Sequence, residues 1–168
     1  FDEYKKLIKD SQTDKDGTLV YLYSTNPNDQ YSYIQAAKDK GYNVLLFDGQ
    51  LDIPMIGQLE QKFEKTHYVR VDSDTVGNII RKEDAQAVTL DEEQKNALQE
   101  IFKSQIPAIE KADFIVSFEA LGADSNPVML TQSEYMRRMR DMASVQPGMS
   151  FYGEMPDSYN LVLNTDHK

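Results

Sequence analysis

The chain has 168 residues, 40% of them apolar and 27% charged, enough to pack one ordinary domain or two small ones and too apolar for a disordered chain. A formal charge of -10 repels phosphate backbones and anionic lipid, which argues against nucleic acid or a membrane surface as partner. Cysteine is absent, so disulfides, thiolate metal sites and thiol nucleophiles are excluded together, as suits a reducing cytoplasm.

The opening FDEYKKLIKD lacks the apolar core of a signal peptide, and no later run approaches the roughly 20 apolar residues of a membrane span; a cytoplasmic location is expected. Phe1, Tyr4, Leu7 and Ile8 recur at helical spacing and predict a short lead-in helix, broken by the polar turn SQTDKDG. TLVYLYS reads as a strand, Asn26 and Pro27 as N-cap and first helical position, and residues 28–40 as a helix that Gly41 ends in the left-handed conformation. NVLLFD predicts a buried-type strand, Asp52 a cap for a helix with Ile56, Leu59 and Phe63 on one face, and HYVRVD a third strand. Strands alternating with such helices argue a right-handed β-α-β-α-β layer: a small three-layer α/β/α subdomain with a short parallel sheet over residues 1–80.

Residues 81–90, RKEDAQAVTL, show no period and read as a linker. Over 91–168 the pattern predicts an α+β subdomain with a small, mainly antiparallel sheet and an amphipathic helix. Thr89 with Glu92 forms a capping box for a helix marked by Leu90, Ala97, Leu98, Ile101, Phe102 and Ile106 and closed by Pro107. DFIVSFEAL alternates, GADSNP turns, and PVMLT follows, which predicts a hairpin of two antiparallel strands. Thr131 with Glu134 repeats the capping box and opens a helix to about residue 144, and YNLVLN is the last strand. The chain starts in mid-helix and stops just after a strand, so it is read as a piece of a longer protein.

Familiar catalytic chemistry is missing. The turn after the first strand is STNPND, without glycine, and neither glycine-rich phosphate loop occurs. Asp48, at the end of the second strand, suggests the alternative of a flavodoxin-like phospho-acceptor or small-ligand module, though no acidic pair ends the first strand and a loop or cap carboxylate is the plainer reading. TDKDG is a polar turn, because a calcium loop with Gly17 sixth would need carboxylates at Gln12 and Tyr23. His67 and His167 stand alone, so no metal site is expected.

One feature points to binding. SEYMRRMRDMAS places Tyr135, Met136, Met139 and Met142 on one helical stripe, and the loop beyond adds Met149, Phe151, Tyr152 and Met155. Methionine conforms to irregular apolar surfaces, which suits promiscuous contact. Core packing is the competing reading of such a stripe, and a solvated face that of Arg137, Arg138 and Arg140.

GTLVYLYSTN, KGYNVLLFDGQLD, FEALGADSNPVMLTQSEYMRRM and FYGEMPDSYNLVLNTDH, in this order, resemble the bacterial 90-kDa heat-shock chaperones, and VLNTDH resembles that family's asparagine-x-aspartate-histidine signature. The resemblance covers the whole chain. It implies the end of the middle domain over 1–80 and a C-terminal domain over 91–168 that lacks its terminal dimerisation helices. It also implies a homodimeric, ATP-driven parent whose ATP and magnesium site and catalytic arginine lie upstream. This piece is then expected to be largely monomeric, without cofactor, and without enzymatic activity of its own. The partners implied are non-native client proteins. Client contact is carried to Tyr135, Met136, Met139 and Met142, with Met149 and Phe151 counted beside them. The facing middle-domain helix corresponds to LDIPMIGQL, which adds Ile53, Pro54 and Gly57, where the family often has larger or polar residues.

Overall fold

Strand β1 (Leu19–Ser24) buries all six of its side chains, the condition of a central strand covered on both faces. A computed structural model describes residues 2–49, 51–83, 87–143 and 155–167, with the side chains of 140–143 outside the description. It divides into two units, Phe1–Ala85 and Gln86–Lys168.

In the first unit β1 lies between β2 (Val44–Leu46) and β3 (Thr66–Arg70), and both pair with it in parallel. Helices α1 (Asp2–Gln12), α2 (Tyr31–Asp39), α3 (Asp52–Lys62) and the short α4 (Val76–Ile79) complete it. Alternation along β1 sends Val20 and Leu22 to a core with Ala37 and Val76, and Leu19, Tyr21 and Tyr23 to a second core with Ile8 and Ile56. These are the three layers and the parallel sheet expected from the β-α-β-α-β pattern. Gln12 ties α1 down: its Nε2 donates to the Val20 carbonyl at 2.9 Å, and its Oε1 accepts from the Asn43 amide at 2.6 Å. Gly41 takes φ +74°, as its place at the end of α2 predicts.

Several local expectations are corrected. β2 is a three-residue edge strand with Leu46 exposed, because only β1 pairs with it. Asn26 and Pro27 do not start α2: the Asn26 Oδ1 accepts from the Asn28 and Asp29 amides in a turn, and the helix begins at Tyr31. Asp52 lies inside α3 rather than capping it, and accepts from the Gly49 amide. The TDKDG turn is closed by the Asp14 Oδ1, which accepts from the Asp16 and Thr18 amides. Helix α4 carried no sequence signal long enough to read.

The second unit contains α5 (Glu92–Gln105), β4 (Ala112–Glu119), β5 (Val128–Gln132), α6 (Glu134–Ala143) and β6 (Asp157–Asn164). The expected hairpin is not formed. The strand order is β4-β6-β5, so β6 separates the two sequence neighbours, pairing parallel with β4 and antiparallel with β5. The sheet is therefore mixed. Register places Phe114, Val116 and Phe118 in rows with Tyr159, Leu161 and Leu163. The capping box of α5 is Asp91 with Gln94, not Thr89 with Glu92. Thr131 is a buried residue of β5 and caps nothing.

Tyr4, Tyr21 and Tyr68 stack in the second core of the first unit, with Tyr21 and Tyr68 centroids 4.6 Å apart. Burial first, then the neighbouring Tyr21, pushes the Tyr4 hydroxyl up to about 12; burial raises Tyr21 and Tyr68 too. A tyrosine with its folded pKa above the unfolded value of about 10 contributes its stability in full below that value and loses it as pH rises. Urea midpoints of this unit are expected to fall as pH climbs from about 10 toward about 12, and to fall less steeply in Tyr4→Phe.

Candidate functional site

Helix α6 follows β5 with one residue between, so its placement depends on how β5 is held. At the entry of β5 the Asn164 amide donates to the Pro127 carbonyl at 2.9 Å, and at its exit the Gln132 Nε2 donates to the Asp157 Oδ1 at 2.7 Å. Asn164 is buried and uses its whole side chain on the 121–125 turn and its own exit. Its Oδ1 accepts from the Leu121 and Asp166 amides, both at 3.1 Å, and its Nδ2 donates to the Gly122 carbonyl at 2.8 Å and the Ser125 carbonyl at 3.4 Å. The Gly122 amide donates in turn to the Asp166 Oδ2 at 2.8 Å. The asparagine and aspartate of the NTDH motif are thus a clasp joining the β4–β5 turn to the end of β6.

On α6 itself the side that packs inward is charged. Arg137 is only 5% exposed. Its Nη2 donates to the Glu134 Oε1 at 2.8 Å, and the Arg138 Nε donates to the same oxygen at 2.6 Å. Burial raises the Glu134 carboxyl, but the two guanidiniums and their hydrogen bonds outweigh it, and the group is held below the usual glutamate value. Tyr135 is 65% exposed, while Met136 and Met139 are half-buried. At about 100° per residue, Tyr135 and Met139, each two positions from Arg137, stand about 160° round the helix from it. The structure therefore keeps Tyr135 and Met139 on one side of the helix and Arg137 on the other. Met142 lies in α6 with its side chain outside the described residues; Met149, Phe151 and Tyr152 lie outside them altogether.

On α3 the three expected residues part ways. Ile53 packs against the core around Ile56, whereas Pro54 and Gly57 are exposed, and a Cβ at Gly57 would meet nothing within 4 Å. Sequence reasoning missed Leu51, 79% exposed, and Met55, also exposed. The signal was present, since Leu51 and Pro54 fall on the side of the helix opposite Ile56.

The place where a doubly wound sheet would bind phosphate is occupied by the chain. The buried Gln30 turns its Oε1 into the turn after β1, where it accepts from the Ser24 hydroxyl at 2.8 Å, the Thr25 amide at 2.9 Å and the Asn26 amide at 3.2 Å. Asp48 is exposed beyond β2. Among the described residues no three His, Cys, Asp or Glu side chains are grouped as a metal site would need, and no helix is long and apolar enough to cross a membrane. His67 stands 3.0 Å from Glu60, whose Oε1 also accepts from the Tyr68 amide.

Two tests follow from this geometry. Asn164→Asp sets a carboxylate oxygen against the Gly122 and Ser125 carbonyls and is expected to cost the second unit about 3 kcal/mol, read by urea unfolding. Because the folded Glu134 is depressed, its contribution is present above the unfolded value of about 4.3 and is lost as pH falls through the lowered one; Glu134→Gln is expected to flatten that acid limb.

No family model matches the chain. Aligned relatives do. The chain is 61% identical over 168 residues to the chaperone protein HtpG of Bacteroides thetaiotaomicron and 60% identical over 168 residues to that of Bacteroides fragilis. It is 58% identical over 167 residues to that of Porphyromonas gingivalis. These alignments take in 99 to 100% of the chain but only 24 to 25% of the relatives' own length. With identity of that order along essentially every residue, the chain belongs to the HtpG family of 90-kDa heat-shock chaperones, as a stretch equal to about a quarter of those proteins.

Proposed function

We propose that the chain is a client-contact and coupling segment of an ATP-dependent chaperone, and that it holds exposed apolar stretches of non-native proteins on the Tyr135–Met139 side of α6. The observation that carries this reading is the orientation of the helix. An ordinary amphipathic helix buries its apolar stripe; α6 buries Arg137 and leaves Tyr135 largely in water.

The magnitudes suit holding rather than tight capture. Burying one methionine or tyrosine side chain fully is worth about 1.5 to 3 kcal/mol, and partial burial of three yields only a few. Ordering the client offsets much of that, so each site works at about millimolar to micromolar affinity and depends on several contacts or on a cycle driven elsewhere. Unbranched thioethers add adaptability to varied client surfaces. Pro54 and Gly57, with Leu51 and Met55 beside them, form a smaller apolar patch on α3 for the same task.

The remaining parts of the reading follow the resemblance drawn from the sequence. Residues 1–80 are the end of a middle domain, 81–90 a linker and 91–168 most of a C-terminal domain. ATP and magnesium act upstream, in a cytoplasmic homodimeric parent, while this stretch alone is monomeric, binds no nucleotide and performs no catalysis.

Met139→Glu separates client contact from core packing. It is expected to weaken holding of an unfolded model substrate about tenfold, the equivalent of 1.4 kcal/mol, while urea stability changes by less than about 0.5 kcal/mol. Loss of the folded second unit in this variant would make the stripe a core and end the reading.

A further inference from the structure

We infer that Glu134 is the positioning residue that decides which side of α6 faces outward, an inference whose functional meaning rests on the client-contact reading above. Helix α6 has two sides that could pack. Tyr135, Met136 and Met139 would gain by leaving water, whereas Arg137 enters a buried position only if its charge is met. The structure takes the second arrangement, with Arg137 5% exposed and Tyr135 65% exposed.

Glu134 is what makes that choice tolerable. It lies one helical turn before Arg137, on the same side, and one carboxylate oxygen receives both the Arg137 Nη2 at 2.8 Å and the Arg138 Nε at 2.6 Å. Drawing both guanidiniums toward the packed side leaves Tyr135 and Met139 on the other. A buried ion pair adds little stability over apolar packing of the same volume, so its presence here selects an arrangement. Without the carboxylate the buried charge of Arg137 becomes costly, and the helix rolls to bring its apolar side in.

Tryptophan is absent from the chain, so Tyr135→Trp supplies a single reporter on the outward side. In that background the indole is expected to emit at long wavelength and to be quenched freely by acrylamide. Adding Glu134→Ala is expected to shift the emission to shorter wavelength and lower the quenching constant several-fold with helical circular dichroism retained. Glu134→Gln, which keeps the acceptor oxygen and loses the charge, falls between. Adding Arg137→Met to Glu134→Ala, which removes the charge that needs a partner, is expected to restore the long-wavelength, freely quenched emission. An indole that stays freely quenched in a folded Glu134→Ala protein overturns the inference. Where Glu134→Ala unfolds the second unit, the decision passes to Glu134→Gln, and unchanged quenching in that variant overturns it as well. The readout needs no client: a roll of the helix together with undiminished substrate holding in Met139→Glu would uphold the positioning role and remove the client-contact reading.

Discussion

A guanidinium taken out of water must be met by a carboxylate, and on α6 that requirement governs everything the helix presents. Glu134 meets Arg137 on the inward side, and the pitch of the helix then places Tyr135 and Met139 away from it. The ion pair would be a poor choice for stability alone. It does what an apolar contact could not: the charged side packs, and the soft, conformable side remains for something else. The bonds at the two ends of β5, from Asn164 to Pro127 and from Gln132 to Asp157, hold the strand that delivers this helix.

The strands and helices of the first unit were legible because their signals are local. The apolar run in TLVYLYS, the left-handed glycine at 41 and helix-length spacers between strands each name one element, and the parallel pairing follows from their order. Caps were read less well. Asn26 and Asp52 have the right side chains for an N-cap, but each satisfies amides of a preceding or following turn instead. The same short polar groups serve both purposes, and residue type does not separate them.

Long-range choices were the ones that sequence could not decide. GADSNP between DFIVSFEAL and PVMLT has the marks of a hairpin turn, yet β6 pairs with both runs. On α6 the methionine stripe was visible and its direction was not. Periodicity locates an apolar side, while the buried side is fixed by Glu134 and Arg137, residues that look like ordinary surface charges. In the first unit the reverse holds: the lack of glycine after β1 disfavoured phosphate, but only the structure shows Gln30 of the same chain taking up those amides.

The strand order of the second unit has a consequence for its synthesis. A β4–β5 hairpin could close as soon as its turn left the ribosome; a sheet with β6 at its centre has no middle until residue 164 has been made. Until then Phe114, Val116, Phe118 and Leu130 wait without their cross-strand neighbours Tyr159, Leu161 and Leu163, in a non-local topology of the kind that assembles slowly. The nascent second unit thus passes through the same sticky, half-made condition that a chaperone exists to relieve, and it leaves that condition when β6 slides into place.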